Sequence, residues 1–172
     1  MKSIGIELSS VNFLKLKNNV IKKKLIDKGV LVIRGQKINN INLIKFSKAL
    51  GKPIVHKFSR NISKFPEIMK IIKEKNDKKM FGGVWHSDST YLKKPPRYTI
   101  LYPKVLPGKK QGGTKFSCMI NAYNRLKPKT KKILKKIYVC NSSETKLYKY
   151  RKTKENNKQK KEKIIFQKKI KK

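Results

Sequence analysis

The sequence predicts an α+β fold weighted towards β, organised as one domain with a basic tail. Three observations carry this. Short β-branched runs such as Val30-Leu31-Val32-Ile33 read as buried strands. Two segments place apolar residues at helical spacing among lysines and asparagines. Glycine and proline then punctuate the chain at short intervals. A length of 172 residues suits one domain, or a domain plus a tail.

The elements follow in order. Ile4 to Leu8 is a short strand. Phe13, Leu16 and Val20, with Leu14, Ile21 and Leu25, form an amphipathic helix ending near Gly29. Residues 30 to 33 are the next strand, and Gly35 turns the chain. Asn39 or Asn40 caps a second helix whose face carries Leu43, Phe46 and Leu50, with Gly51 just past its end. Ile68 to Ile72 reads as a strand, and residues 73 to 83 as a loop containing Gly82-Gly83. Tyr98 to Val105 is a strand confined to an edge or a bulge, because Pro103 cannot donate to a ladder. Pro107 to Gly113 is a turn, and Thr114 to Met119 a short strand. Helix follows from Asn121, and a further helix from Pro128 to Tyr138. Residues 1–145 make up the domain. Residues 146–172 hold 13 basic and 2 acidic residues with sparse apolar ones, a tail expected to be poorly ordered or helical.

Charge narrows the function classes. The chain carries 47 Lys+Arg against 9 Asp+Glu, a formal charge of +38. Such a surface attracts polyanions without sequence preference. Only five of these residues are Arg, the usual reader of base edges, and Lys is spread along the whole chain. With abundant Ile and Asn, the excess reads first as the coding bias of an AT-rich genome on a solvated surface. No apolar run approaches the ~20 residues needed to span a bilayer, and no secretory signal is evident. Two cysteines, Cys118 and Cys140, are too few for a disulfide framework or a four-cysteine metal site, so a reducing cytoplasm is expected.

The chemistry concentrates around one of only two histidines. In Val84-Trp85-His86-Ser87-Asp88-Ser89, an extended backbone points His86 and Asp88 to the same side. An imidazole nitrogen beside a carboxylate oxygen is two-thirds of the facial triad of non-haem Fe(II) oxygenases. Alone, the pattern equally describes two polar residues on a solvated strand. Its surroundings are more specific. Trp85 to Tyr91 reads W-H-S-D-S-T-Y, followed by Lys94-Pro95-Pro96, Ile100-Leu101-Tyr102, Gly112-Gly113-Thr114 and Ala122-Tyr123. Upstream lie Gly29 to Gly35 and Ala49-Leu50-Gly51-Lys52-Pro53. This order closely resembles the taurine dioxygenase family, which includes the 2,4-dichlorophenoxyacetate dioxygenases. The likeness runs from about Ile4 to the Asn141-Ser142-Ser143 region.

The resemblance implies the N-terminal portion of a double-stranded β-helix, or jelly roll, with flanking helices, incomplete here. It implies Fe(II) as metal and 2-oxoglutarate and O₂ as co-substrates. The implied reaction couples oxidative decarboxylation of 2-oxoglutarate to hydroxylation of a small organic, anionic substrate. His86 and Asp88 match the first two iron ligands, and Thr114 the threonine that contacts 2-oxoglutarate. Relatives usually place one more residue between the double glycine and that threonine, whereas Gly113 joins Thr114 directly. His56 falls at a substrate-binding histidine and Tyr91 at a substrate-pocket aromatic. A surface histidine and a packing tyrosine are the plainer alternatives for these two. Trp85 is expected to pack beside the site. Gly82 stands where the taurine enzyme has a substrate-binding asparagine, which argues against taurine itself.

The family's third ligand, a downstream histidine, and the 2-oxoglutarate-binding arginine beyond it have no counterpart: no histidine follows His86 and no arginine follows Arg151. The chain is therefore expected to be truncated relative to the family and inactive alone, unless His56 or another chain completes the site. Half a jelly roll would expose apolar faces and strand edges, leaving room for self-association into a homo-oligomer. The competing expectations are a basic nucleic-acid- or polyanion-binding protein and a non-catalytic fragment.

Overall fold

The computed structural model describes residues 4–142, apart from 58, 60, 79–81 and 109–110, together with the backbone of 165–169. The chain divides into two units. The first comprises residues 1–83 and 98–122, the second residues 84–97 and 123–172.

The first unit is built on a βαβα run. Strands β1 (Ile6–Leu8) and β2 (Leu31–Ile33) pair in parallel, with Ile6 opposite Leu31 and Leu8 opposite Ile33. Parallel neighbours need a crossover, here helix α1 (Asn18–Lys28), preceded by a 3-10 turn at Phe13–Lys15. Gly29 ends α1 at φ 74°, and its N–H closes on the Leu25 carbonyl at 2.8 Å. That left-handed position is strained for a residue with a Cβ. Helix α2 (Asn40–Leu50) starts at Asn39, whose side chain accepts from the Asn42 N–H at 2.8 Å. The expected cap is therefore Asn39.

The buried apolar residues among those described are Phe13, Ile21 and Leu50. Phe13 meets Phe46 of α2 edge-on, with ring centroids 5.0 Å apart and planes at 79°. Each such side chain contributes about 1.5–3 kcal/mol by leaving water. Around this cluster Gln36 satisfies backbone groups. Its amide nitrogen donates to the Val11 carbonyl at 2.7 Å and the Arg34 carbonyl at 2.6 Å, while its Oε1 accepts from the Phe13 N–H at 3.2 Å.

Beyond α2, β3 (Asn61–Ile62) and β4 (Phe65–Met69) form a short antiparallel hairpin with an irregular register. The strand expected at Ile68 to Ile72 thus lies three residues earlier and contains Pro66, which a two-stranded edge tolerates. In the second unit, α4 (Pro128–Leu134) ends earlier than expected, since Tyr138 begins β5 (Tyr138–Ser142). Tyr138 and Val139 favour the extended state. Strand β5 pairs antiparallel with β6 (Ile165–Lys169), Tyr138 opposite Lys169 and Ser142 opposite Ile165. Helix α3 (Met119–Asn124) precedes α4 in the chain. Of the expected tail, 146–164 and 170–172 lie outside the described residues.

The fold-class expectation of a jelly-roll portion, mainly β, is corrected here. The described residues form a small mixed α/β arrangement with three separate two-stranded ladders and no curled sheet. Tyr98 to Val105 and Thr114 to Cys118 are irregular rather than strands. Pro103 removes one donor, and no described strand lies alongside to supply partners. Leu101 and Phe116 are exposed, and Val105 is 89% exposed. Residues 98–105 are instead tied down by Tyr102. Its hydroxyl accepts from the Ile38 N–H at 3.0 Å and donates to the Gln36 carbonyl at 3.3 Å. No helix among the described residues is long and apolar enough to cross a membrane.

Candidate functional site

Residues 84–87 are irregular and exposed, and the chain turns from Asp88 onward. The Leu92 N–H closes that turn on the Ser89 carbonyl at 3.0 Å, with Ser89 at φ 48°. A non-glycine residue there is uncommon, and such positions concentrate at functional sites.

Within this frame the side chains of His86 and Asp88 converge. His86 Nε2 lies 3.4 Å from Asp88 Oδ1, with both side chains about half exposed. His86 Nδ1 lies 2.7 Å from the Val84 carbonyl, which can only accept. The hydrogen bond therefore places the ring proton on Nδ1 and turns the Nε2 lone pair towards the carboxylate. One imidazole nitrogen and one carboxylate oxygen are thus presented side by side. The Val84 carbonyl is a partner the sequence reading missed. Its signal is the i−2 spacing, since a metal-binding imidazole commonly gives its other N–H to a backbone carbonyl.

An imidazole nitrogen and a carboxylate oxygen on adjacent positions suit a borderline divalent metal such as Fe(II). These two residues fit as part of such a centre. Among the described residues, however, no third His, Cys, Asp or Glu joins them.

The other expected site residues are held locally. His56 Nδ1 pairs with Ser59 Oγ at 2.7 Å, and the His56 carbonyl accepts from Asn61 Nδ2 at 3.1 Å. Asn61 Oδ1 is buried without a hydrogen-bond partner among the described residues. Thr114 is exposed, two residues after Gly112 at φ 66°. A Cβ on Gly112 would sit 2.6 Å from Pro107 Cγ, so this turn demands glycine. Tyr91 is half-buried in the turn beyond Asp88. Trp85 does not pack as expected, being 70% exposed. An open groove of about 350 Å³ in the first unit is lined by Asn39, Asn40, Ile41, Phe65 and Lys104, none of them an expected site residue.

The family described as Taurine catabolism dioxygenase TauD, TfdA matches residues 2–169, nearly the whole chain. The chain belongs to the TauD/TfdA dioxygenase family. A Saccharomyces cerevisiae protein, "Alpha-ketoglutarate-dependent sulfonate dioxygenase", is 26% identical over 156 residues. The alignment covers 81% of this chain and 37% of that protein, so the chain spans little more than a third of this TauD/TfdA relative.

Proposed function

We propose that this TauD/TfdA chain contributes two ligands, His86 and Asp88, to an Fe(II) centre that uses 2-oxoglutarate and O₂ to hydroxylate a small organic anion. The observation that supports this is the convergence of His86 Nε2 and Asp88 Oδ1 at 3.4 Å, with the imidazole oriented by the Val84 carbonyl. Bound iron and 2-oxoglutarate would supply the oxidising chemistry. The chain's own residues would orient and bind. Val84 holds the tautomer that leaves Nε2 unprotonated, and Asp88 supplies negative charge beside it. Thr114 would donate its hydroxyl to a 2-oxoglutarate carboxylate. His56 and Tyr91 would contact the substrate, His56 with its ring held by Ser59. The sulfonate named for the yeast relative is consistent with an anionic substrate class. A third protein ligand would come from outside the described residues, from His56, or from a second chain; water would otherwise fill the position.

The test is anaerobic titration of the full chain with Fe(II) and 2-oxoglutarate, following the weak visible charge-transfer band, with His86→Ala as control. A band that disappears in the variant supports the reading. Absence of any band in folded protein refutes a working iron–2-oxoglutarate centre in this chain alone and favours a non-catalytic role.

A further inference from the structure

Basic residues are not evenly distributed among the described residues of the second unit. Stretches 84–97 and 123–142 hold ten basic residues and one acidic residue, Asp88. Six of the ten positions from 127 to 136 are lysine.

The placement of these lysines is specific. Lys131 is committed within the unit: its ammonium donates to the Asn124 carbonyl at 2.8 Å and lies 5.5 Å from the centre of the Tyr123 ring. Lys129, Lys132, Lys135 and Lys136 are exposed, and none of the four meets a carboxylate among the described residues. The turn continues past α4, with Lys135 in helical conformation and the Lys136 N–H donating to the Ile133 carbonyl at 2.9 Å. Lys129 and Lys132 therefore lie at i and i+3 on one face of α4, with Lys135 and Lys136 in the turn that caps it. No acidic residue stands in the first turn of α4 to offset them.

We propose that this lysine face of α4 is a binding surface for the phosphate backbone of a nucleic acid, recognised by charge and not by base sequence. A face of unneutralised ammonium groups carries a condensed-counterion partner better than a discrete small anion, because each phosphate engaged releases a bound cation to solution. Lysine, a compact strongly hydrated charge, suits such contacts but lacks the planar fork that reads bases.

The experiment is fluorescence anisotropy of the full chain with a labelled 20-nucleotide DNA duplex, and separately a single-stranded RNA of equal length, over a salt series. The variant K129Q/K132Q/K135Q/K136Q is compared with K15Q/K17Q/K23Q/K45Q, which removes the same charge from exposed positions of the first unit. Circular dichroism checks that both fold, and the matching four Lys→Arg changes on α4 keep the charge. Each phosphate contact contributes a slope of about −0.9 to log K against log salt on duplex DNA. The α4 variant is expected to flatten that slope by about 3 to 4, the first-unit variant by less than 1, and the arginine variant not at all. The two arms identify whether duplex or single strand is preferred. Equal loss in both glutamine variants would show that only net charge acts and overturn the assignment. So would no binding at 50 mM salt, or binding to phosphatidylserine vesicles without binding to either nucleic acid.

Discussion

Phe13→Ala tests how the first unit is held together. Phe13 is 4% exposed and meets Phe46 edge-on at 5.0 Å. Removing the ring forfeits the transfer free energy of a buried aromatic side chain, about 1.5–3 kcal/mol. Loss of the aromatic pair adds about 0.5–1.5 kcal/mol. The cavity left beside Phe46 brings the total to about 3–5 kcal/mol, as large-to-small core substitutions show. A small domain has only about 5–15 kcal/mol to lose, and a core this sparse belongs at the lower end. The variant is expected to lose its cooperative urea transition, followed by far-UV circular dichroism. Trp85 is a poor fluorescent reporter because it is largely exposed and lies in the other unit. Phe13→Leu keeps most of the volume and should retain a transition, lowered by about 1–2 kcal/mol. An unchanged midpoint for Phe13→Ala would refute the argument that Phe13, Ile21 and Leu50 hold this unit.

Further outcomes follow from other residues. Gly112→Ala must meet Pro107 while adopting a left-handed backbone that costs about 1–2 kcal/mol; calorimetry should show weaker 2-oxoglutarate binding if Thr114 contacts it, and equal affinity would remove Thr114 from the site. Tyr102→Phe deprives the Ile38 N–H of its acceptor, which should lower stability by about 1–3 kcal/mol and speed amide exchange at Ile38; unaltered exchange there would contradict the anchoring role. Glu7 accepts from Arg34 at 2.8 and 3.1 Å, and this charge-assisted pair holds its carboxyl below the usual 4.5. A depressed folded value means that the pair's contribution is present above the unfolded value and is lost as pH falls through the folded one. Carboxyl NMR should show the Glu7 titration move upward in Arg34→Gln, and no movement would discount the pair.

The local features were legible in the sequence, and the reasons are physical. Asn39 caps α2 because a side-chain oxygen two or three residues ahead of free N–H groups is a local solution. Gly29 ends α1 for an equally local reason. His86 and Asp88 approach at 3.4 Å where irregular backbone enters a turn, not on the extended strand that the spacing suggested. Tertiary features were not legible. Nothing in Tyr98 to Val105 announces that Tyr102 binds backbone groups 64 to 66 residues away, so a β-rich stretch read as a strand. A strand is a relation between two segments, and one apolar run specifies only half of it. The jelly-roll expectation failed on the same ground, since it assumed partners that the described ladders do not contain.

The Tyr102 anchor also has a consequence in time. The β1–α1–β2–α2 run is complete by Leu50, and its contacts are short in sequence. The Ile38 N–H and Gln36 carbonyl, however, meet their side-chain partner only across 64 and 66 residues. At the usual synthesis rate of about 5–20 residues per second, the newly made Gln36–Ile38 segment waits roughly 3 to 13 seconds for Tyr102. During that interval the two backbone groups are served by water or by whatever else is near the ribosome. A nascent chain stalled between these points would expose the Gln36–Ile38 loop to proteases and chaperones, and release of the stall would close it.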